Sequence, residues 1–462
     1  MKSIFIFRRD FRIFDNHGLI KCFEDSDEVL LIFIFTPEQI TKNKYFSSNS
    51  FQFLIESLED LNDELKKYNA HIHFYFGENV EILKKIEKLY KYDTIYCNKD
   101  FTPYSTHRDN SIETYLEKEN KKLILVEDYL LAPMGTFCKK DESAYQVYGA
   151  FRKNSMNIDI KEVNTSFDLN KKDLKSKIIK IKNNFSVNDL DKYYTINSNI
   201  MVHGGRKNAL KILKNISNFS SYEECRNILD YNTTHLSSYI KYGTVSIREV
   251  YYKIADKFGK DCVLINQLFW REFYFYIGYY FPRVLEGKSL KEKYDKIKWS
   301  NNPKYIEAWK NGLTGYPVVD ACMRELNTIG FMHNRGRLIT SGILIKILQC
   351  DWRIGEEYFA TKLIDYDPLV NNGNWQWSSS SGADSTPYFR IFNPWLQSKK
   401  FDPNCIYIKK WLSELSLIPN KEIHQWDKYY KNYKNINYPG PINNYEEARK
   451  ETIELYKKAL YD

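Results

Sequence analysis

The amino-terminal part of the chain alternates short runs of β-forming residues with stretches of helical periodicity. Apolar residues recur at helical spacing between Phe51 and Tyr68, and β-rich runs lie before and after that stretch. Strands that alternate with helices predict a parallel sheet, but the absence of a G-x-G-x-x-G loop argues against an ordinary dinucleotide site. The predicted strands are Ser3–Phe7, Val29–Phe35, His71–Phe76, Thr94–Asn98 and Leu123–Val126.

The pattern changes twice after residue 130. Residues 131–195 carry Lys-Lys, Asn-Asn and Asp/Lys runs with weak periodicity, which predicts a long surface connection. From residue 196 onward helical spacing dominates, and a chain of 462 residues is too long for one ordinary core. We therefore expect an α/β domain with a Rossmann-like parallel sheet at 1–130, a connector at 131–195 and an all-α domain at 196–462. The predicted helices include Ile247–Ala255, Val263–Tyr280, Val318–Leu326, Leu338–Leu348 and Asn444–Leu460.

One segment, Asp365–Pro394, fits neither a core helix nor a core strand, because aliphatic residues are few and glycine and proline interrupt it. Carboxylates, amides and aromatic rings are nevertheless crowded there. Polar groups can bind the edge of a planar ligand while aromatic side chains cover its faces, so the segment predicts a ligand site on irregular backbone. A surface loop with some buried aromatic residues is the alternative. The aromatic residues are Trp375, Trp377, Tyr388, Phe389 and Phe392.

Composition narrows the class of protein only slightly. The net charge of +9 is compatible with a polyanionic partner, and equally with a lysine-rich solvated surface. None of the eight cysteines has C-x-x-C spacing and no His/Cys cluster suggests a metal, so we expect reduced thiols. No apolar run has the length of a signal peptide or a membrane span, which predicts a soluble protein of the cytoplasm or nucleus.

Several motifs are distributed over the chain: Phe7–Arg12, Asp15-Asn16, Trp270–Phe273, Thr314–Asp320, His333–Arg337, Asp351–Arg353 and Asp365–Pro394. They resemble the photolyase/cryptochrome family, and most closely its class I cyclobutane pyrimidine dimer photolyases. The resemblance covers almost the whole chain. It implies an antenna domain at 1–130, a helical FAD-binding catalytic domain at 196–462 and a second chromophore of the folate or deazaflavin type, whose identity stays open.

The resemblance also implies which residues hold FAD. Hydroxyl groups before a helix start can bind a phosphate, although N-capping alone would explain them. In the family these positions hold the pyrophosphate, here Tyr222, Thr233, Thr234 and Ser237, with added charge from Arg271. Matching positions place an Arg337–Asp365 ion pair beside the isoalloxazine, Asp367 on its polar edge and Asn371 opposite N5.

Three indoles match the electron-transfer triad of the family. They are Trp375, Trp352 and Trp299, ordered from the flavin to the surface. Each of them taken alone would more readily be explained as a core residue, since sequence spacing does not show a chain of contacts.

A second set of residues matches the lesion pocket. Trp270 and Trp377 correspond to its walls, and Asn334 matches the class I pattern where (6-4) photolyases carry a histidine. Three departures concern the substrate: Gln267 replaces the usual class I glutamate, and near the pocket Phe331 and Leu338 replace the usual tryptophan and methionine. Arg335 and Arg390 are expected to contact DNA phosphates.

The expected protein is therefore an enzyme, a carbon–carbon lyase of DNA repair. The resemblance implies that light-excited reduced FAD donates an electron to a flipped-out cyclobutane dimer in UV-damaged DNA, the ring opens and the electron returns. A monomer that needs no metal and no membrane is expected. The alternatives are a (6-4) photolyase, favoured by Gln267 and opposed by Asn334, a cryptochrome photoreceptor without repair, and a redox flavoprotein without a DNA role.

Overall fold

The computed structural model describes residues 1–461, which pack into two compact units. The first unit comprises Met1–Asn197, Val202–Asn218 and Thr234–Tyr280. The second comprises Ser198–Met201, Phe219–Thr233 and residues 281–461. The domain boundaries expected after residues 130 and 195 stay predictions. They were drawn from the sequence pattern and the family resemblance, whereas the two units are defined by backbone packing.

The first unit is built on the predicted parallel sheet, which is confirmed. The strands are β1 Lys2–Phe7, β2 Glu28–Phe35, β3 His73–Phe76, β4 Thr94–Asn98, β5 Lys122–Val126 and β6 Ile178–Ile179. The first five lie in the order β3-β2-β1-β4-β5, so the strand order reverses between β1 and β4. Every pairing is parallel, as the alternation of strands with helices requires.

The outer edge of β2 is shared by two short strands. β6 pairs with Val29 and Leu30, whereas β3 pairs with the carboxyl-terminal half of β2. His73 spans the gap between them: Nδ1 lies 3.1 Å from the carbonyl of Leu31, and Nε2 accepts from the amide of Ile181 at 3.0 Å. Burial lowers the pKa of His73, which favours the neutral ring that this pair of contacts requires.

Helices surround this sheet, and apolar strand residues form the core beneath them. The helix over Ser48–Lys66 begins at Ser47, whose side chain accepts from the amide of Ser50, as an N-cap does. The predicted helix Val263–Tyr280 has the bounds expected from its apolar spacing. The α-helices of this unit are His17–Asp25, Ser48–Lys66, Asn79–Leu89, Pro103–Lys118, Tyr148–Ser155, Lys172–Ser176, Arg206–Lys214, Ser237–Lys241, Ile247–Phe258 and Val263–Tyr280.

A buried ionic cluster joins the carboxyl edge of the sheet to the helix Ile247–Phe258. Arg12 and Arg248 both bond to Asp128, at 2.5 and 2.7 Å, and Arg248 also bonds to Asp15 at 2.9 Å. Two guanidinium groups thus balance two carboxylates, and pairing of this kind offsets the loss of hydration on burial. The cluster gives a structural role to the Phe7–Arg12 and Asp15-Asn16 motifs.

The second unit is helical, as predicted, and its core is rich in tryptophan. Four indoles, Trp309, Trp352, Trp375 and Trp426, are fully buried in one hydrophobic cluster. The α-helices are Tyr222–Cys225, Pro303–Asn311, Pro317–Ile329, Asn334–Lys346, Trp352–Lys362, Pro368–Ser378, Pro394–Phe401, Ile406–Trp411, Asn420–Ile423, Trp426–Tyr429 and Tyr445–Tyr461. The 3-10 helices of the chain are Val187–Tyr193, Ile216–Phe219, Pro282–Glu286, Glu292–Lys296, Ser413–Leu415 and Tyr430–Asn432.

Candidate functional site

The segment predicted to be irregular contains a regular helix, Pro368–Ser378, so that expectation was wrong. Asp367 is its N-cap and accepts from the amides of Leu369 and Val370 at 3.0 and 3.3 Å. Pro368 occupies the first turn, where its missing N–H breaks no helical hydrogen bond. The predicted cofactor residue Asp367 is therefore also a structural cap, with a buried carboxylate.

Asn371 and Trp375 lie one helical turn apart and therefore share one face of this helix. Both side chains are buried. The side-chain nitrogen of Asn371 donates to the carbonyl of Glu356 at 3.1 Å, which fixes the orientation of the amide. The amide predicted to face the flavin is thus held by a neighbouring helix rather than left to rotate.

Arg337 and Asp365 form the ion pair that the family resemblance implies. Nη2 of Arg337 donates to both carboxylate oxygens of Asp365, at 3.1 and 3.0 Å. Nε of the same guanidinium donates to the carbonyl of Met332 at 2.9 Å, so the group is held on two sides. The carboxylate is almost fully buried and the guanidinium is partly exposed. Its place beside a flavin ring stays a prediction.

The predicted pyrophosphate residues divide between the units. Tyr222 and Thr233 belong to the second unit, whereas Thr234 and Ser237 belong to the first. Ser237 is exposed and begins the short helix Ser237–Lys241, while Oγ1 of Thr234 accepts from the amide of Leu236 at 3.5 Å. Tyr222 begins the helix Tyr222–Cys225, and burial raises the pKa of its hydroxyl.

Arg271 already has an acidic partner within the first unit. Its Nη1 donates to Glu272 at 3.0 Å, and its guanidinium lies 4.4 Å from the ring centre of Phe275. Burial raises the pKa of Glu272 to about 7, an effect opposed by Arg271 and by the amide of Leu131. The positive charge that Arg271 is predicted to offer to a phosphate is therefore partly neutralised by its neighbour in the chain.

Trp375 is packed tightly against the helix that begins at Trp352. A Cβ added at Gly355, in that helix, would lie 2.1 Å from Cη2 of Trp375, so only glycine leaves room for the indole. The Trp375 ring also lies edge-on to Phe359 at 5.0 Å and to Trp309 at 6.1 Å.

The three predicted relay indoles differ in burial. Trp375 and Trp352 are fully buried, whereas Trp299 is partly exposed and packs against the same hydrophobic cluster. The ring of Trp299 lies 6.0 Å from that of the buried Tyr456. This order of burial supports a relay that runs from the interior to the surface, and the relay itself stays a prediction.

The predicted lesion residues lie in both units, and each has a defined local setting. Trp270 is half-buried, and the side-chain nitrogen of Gln267, one turn earlier, donates to the carbonyl of Val263 at 3.2 Å. In the second unit Trp377 is half-buried on the helix of Trp375. Asn334 is exposed at the start of the helix Asn334–Lys346, and Leu338 follows one turn later on the same face.

The two predicted phosphate contacts differ in exposure. Arg390 is exposed. Arg335 is half-buried, donates from Nη2 to Oδ1 of Asn227 at 2.6 Å, and lies 4.3 Å from the ring centre of Phe401. Burial, and then the neighbouring charge of Arg226, lower the pKa of Arg335. Arg390 is therefore the more accessible of the two cations.

Lys346 is a buried cation that sequence reasoning missed. Its Nζ donates to Oγ of Ser380 at 3.0 Å and to the carbonyl of Arg390 at 3.3 Å, both of which are neutral acceptors. Burial lowers the pKa of Lys346 to about 7. The side chain therefore anchors the backbone of the segment that carries Arg390. Burial of the ammonium group reduces the stability of the folded protein while Lys346 is charged.

We expect Lys346→Met to stabilise the protein at pH 6 by about 1–4 kcal/mol, because it removes a buried charge that has neutral partners. The native pKa is near 7 and the unfolded value is 10.5. The penalty is therefore complete below pH 7 and declines as the pH rises to 10.5, since only the unfolded state then binds the proton. Thermal denaturation at pH 6 and pH 9.5 should show a larger gain at pH 6. Lys399→Met, at an exposed position, should show no such gain.

Neither a cluster of metal-ligating side chains nor a membrane-spanning helix is found among the residues that the structure describes. Within residues 1–461, no group of three or more His, Cys, Asp or Glu side chains is arranged to hold a metal ion. Over the same residues, no helix is both long enough and apolar enough to cross a membrane.

Comparison with known proteins agrees with this architecture over nearly the whole chain. Residues 3–165 match the family described as DNA photolyase, and residues 264–458 match the FAD binding domain of DNA photolyase. The chain is 36% identical to deoxyribodipyrimidine photo-lyase of Buchnera aphidicola, covering 99% of this chain and 97% of that protein. It is 32% identical to the Escherichia coli protein of the same name, with 98% of each covered.

A solved structure shows the same fold. The archaeal photolyase from Sulfolobus tokodaii, described with two FAD molecules that imply a novel light-harvesting cofactor, superposes with a TM-score of 0.87 at 38% identity. The comparison covers 99% of this chain and 100% of that one. The parallel-sheet unit, the helical unit and these matches together define a flavoprotein of the photolyase class. The chain belongs to the DNA photolyase family, and its cofactor is FAD.

Proposed function

We propose that the chain is a light-dependent DNA repair enzyme that splits cyclobutane pyrimidine dimers. The observation that carries this proposal is the chain's similarity, over 97–99% of each protein compared, to proteins named deoxyribodipyrimidine photo-lyase. Asn334, at the exposed start of its helix, supports the same substrate, since an amide does not shuttle the proton that (6-4) repair requires. The protein is also proposed to be a monomer. Analytical ultracentrifugation of the purified protein should therefore give the mass of one chain.

The residues of the second unit fit a flavin chemically. The Asp367 carboxylate is an acceptor suited to a ring N–H, the fixed amide of Asn371 offers both a donor and an acceptor, and the Arg337–Asp365 pair places a compensated cation in the same unit. FAD, when bound, supplies the electron that light sends to the dimer. Asp367, Asn371, Arg337 and Asp365 are proposed to orient its ring system.

The remaining FAD residues are proposed to bind the pyrophosphate. Thr233, Thr234 and Ser237 carry hydroxyl groups that can donate to phosphate oxygens, and Tyr222 can do the same through its phenol. Arg271 is proposed to add positive charge, reduced by its bond to Glu272. Each assignment rests on the match to the motif of the family and on the chemistry of the side chain.

Other residues act on the DNA. Trp270 and Trp377 are proposed to replace the stacking that a flipped-out pyrimidine dimer loses, with Leu338 adding apolar surface. Gln267 and Asn334 are proposed to bind the polar edges of the bases.

Trp375, Trp352 and Trp299 are proposed to keep the cofactor reduced by passing electrons inward.

A (6-4) photolyase is the second candidate, because Gln267 stands where class I enzymes carry glutamate. The deciding experiment uses two oligonucleotides, one per lesion, illuminated with chemically reduced enzyme. Repair of the cyclobutane dimer is expected. Repair of the (6-4) lesion alone would exclude the proposed substrate, and repair of neither would favour a photoreceptor.

Within this assay, Gln267→Glu is expected to change the yield of cyclobutane repair by no more than about tenfold, because glutamine already offers an acceptor and a donor to a thymine edge. The new carboxyl group alters roughly one hydrogen bond and adds a site for a proton. Asn218→Asp, at an exposed position of the same unit, is the control for an added carboxylate, and a loss of repair specific to Gln267→Glu beyond tenfold would contradict this prediction.

Binding of damaged duplex is expected to weaken with salt. Arg390→Ala and Arg335→Ala should each flatten the slope of log K against log salt by about one unit, the value for one lost phosphate contact. Arg449→Ala is a control, because Arg449 is an exposed cation whose guanidinium lies 3.8 Å from Glu446. Unchanged slopes for both test variants would place the DNA-binding face elsewhere.

A second, light-harvesting chromophore is also proposed for the first unit, near Thr102–Asp109. The guanidinium atoms Nη2 of Arg8 and Nη2 of Arg108 are buried there and have no hydrogen-bond partner among residues 1–461. Such donors fit a ligand that is rich in hydrogen-bond acceptors, and folate, deazaflavin and flavin all have this property. Mass spectrometry of the chromophores released from purified protein would identify it, and release of a single FAD per chain would remove this proposal.

A further inference from the structure

The indole of Trp270 lies flat against a phenol ring from another helix of the first unit. The ring centres of Trp270 and Tyr148 are 3.7 Å apart and their planes differ by 9°. Most aromatic pairs in proteins have centres 4.5–7 Å apart, so the two rings overlap more closely than usual.

Tyr148 cannot slide along the indole, because its helix is attached to the helix of Trp270 at two points. The Tyr148 hydroxyl donates to the carbonyl of Asn266 at 2.9 Å. One turn further along, Nε of Arg152 donates to the side-chain oxygen of the same asparagine at 2.8 Å. Asn266 lies one turn before Trp270, so both anchors act close to the indole.

The other neighbours of the indole complete its support. Phe273 meets it edge-on, with ring centres 5.7 Å apart at 87°, and Tyr274 lies at 5.8 Å and 35°. Of these three neighbouring rings, Tyr148 is the parallel one. Trp270 remains half-buried, so part of the residue is accessible to a ligand. Tyr148 is thus the neighbour that sets the plane of the indole.

We propose that Tyr148 is a positioning residue for lesion recognition: by stacking on Trp270 and bonding to Asn266, it fixes the plane on which a flipped-out base packs. The inference rests on the proposed function, and in particular on Trp270 as a wall of the lesion pocket. A wall that is already oriented loses no side-chain freedom when the base arrives, and affinity for the lesion rises accordingly. Affinity for undamaged DNA, which presents no flipped base, is unaffected.

The test measures dark binding of two duplexes, identical except for one cyclobutane dimer, to the FAD-loaded protein. Tyr148→Ala is expected to weaken lesion binding by about tenfold, the upper range for one aromatic pair, and to leave undamaged-duplex binding unchanged. Tyr148→Phe keeps the ring and loses the bond to Asn266, so about threefold weakening is expected. The repair rate at saturating lesion should stay as in the unmodified protein for both variants.

Tyr145→Ala is the matched control, since Tyr145 lies in the same segment and its ring lies at 6.5 Å from Phe151 rather than on Trp270. It should leave the ratio of lesion to undamaged affinity unchanged. Tyr148→Leu keeps apolar volume without a flat ring and replaces the alanine variant if that one fails to fold or to hold FAD. An unchanged ratio in the alanine or leucine variant, or tighter lesion binding, would overturn the inference.

Trp270→Ala separates this inference from the proposed function. Loss of lesion preference in Trp270→Ala, together with an unchanged ratio in the Tyr148 variants, would reject only the role of Tyr148. An unchanged ratio in Trp270→Ala would reject Trp270 as a lesion wall, and with it the positioning role of Tyr148, while repair by the unmodified protein would still stand.

Discussion

Trp375→Phe is expected to abolish the light-driven reduction of bound oxidised FAD, while the chemically reduced variant still repairs cyclobutane dimers. The buried indole of Trp375 is the proposed first donor in the relay, and phenylalanine is far harder to oxidise than tryptophan. The repair electron comes from the cofactor, so it does not pass through Trp375. Bleaching of the flavin spectrum under blue light with an external reductant should slow by at least about tenfold, equivalent to about 1.4 kcal/mol in the barrier.

The control for this variant is Trp426→Phe. Trp426 is fully buried in the same hydrophobic cluster, donates from Nε1 to the carbonyl of Pro439 at 2.8 Å, and has no proposed part in the relay. It should photoreduce at the rate of the unmodified protein. If Trp375→Phe did so as well, Trp375 would not be the proximal donor.

Asp365→Asn is expected to lower FAD content strongly, because asparagine keeps the shape of the side chain and removes its charge. The Arg337 guanidinium, which bonds to both oxygens of Asp365, would then hold a partly buried charge without its carboxylate. Hydrogen bonds to charged groups contribute about 1.5–3 kcal/mol, so roughly a tenfold or larger loss of FAD affinity is expected. Titration of FAD into stripped protein, followed by flavin fluorescence, measures it.

A second ion pair in the same unit provides the control. Arg324 and Glu414 lie 2.7 Å apart, and the Arg324 side chain is about as exposed as that of Arg337, 26% against 27%. Glu414→Gln should therefore lower thermal stability while FAD affinity stays unchanged. Equal FAD affinity in Asp365→Asn and Glu414→Gln would show that Asp365 has only a structural role.

Regular elements were predictable wherever the apolar period continued for several residues. Strand β4, Thr94–Asn98, and the helix Val263–Tyr280 have the predicted bounds, because alternation and helical spacing depend on local sequence. The two-residue strand β6 was missed, since two residues define no period. Its pairing with β2 depends on residues about 150 positions earlier in the chain.

The helix Pro368–Ser378 was missed for a different reason. Its few aliphatic residues show no helical period, and its amides and indoles are typical of a ligand site. Asp367 followed by Pro368 nevertheless indicates a helix start, because they form an N-cap and a first-turn proline. The identities of Arg337, Asp365 and Asn371 were available from motif resemblance. Their backbone partners, the carbonyls of Met332 and Glu356, were not, because backbone acceptors carry no sequence signal.

Tertiary contacts account for the rest. Nothing in the sequence pairs Tyr148 with Trp270, since the two lie more than 120 residues apart and meet only through packing. In the sequence, Lys346 is one lysine in the last turn of a helix, where basic residues are common. Its burial follows from tertiary packing and is therefore not visible in the sequence.

The shared edge of β2 has a consequence for the chain as it is synthesised. Until residues 178 and 179 emerge from the ribosome, the backbone of Val29 and Leu30 lacks its outer partner, and His73 lacks Ile181. An unpaired, apolar strand edge readily recruits strands from other molecules. A fragment ending near residue 130 would retain this open edge permanently, whereas one extended past Ile181 would close it. An amino-terminal fragment is therefore expected to be expressed without aggregation only when it includes residues 178–181.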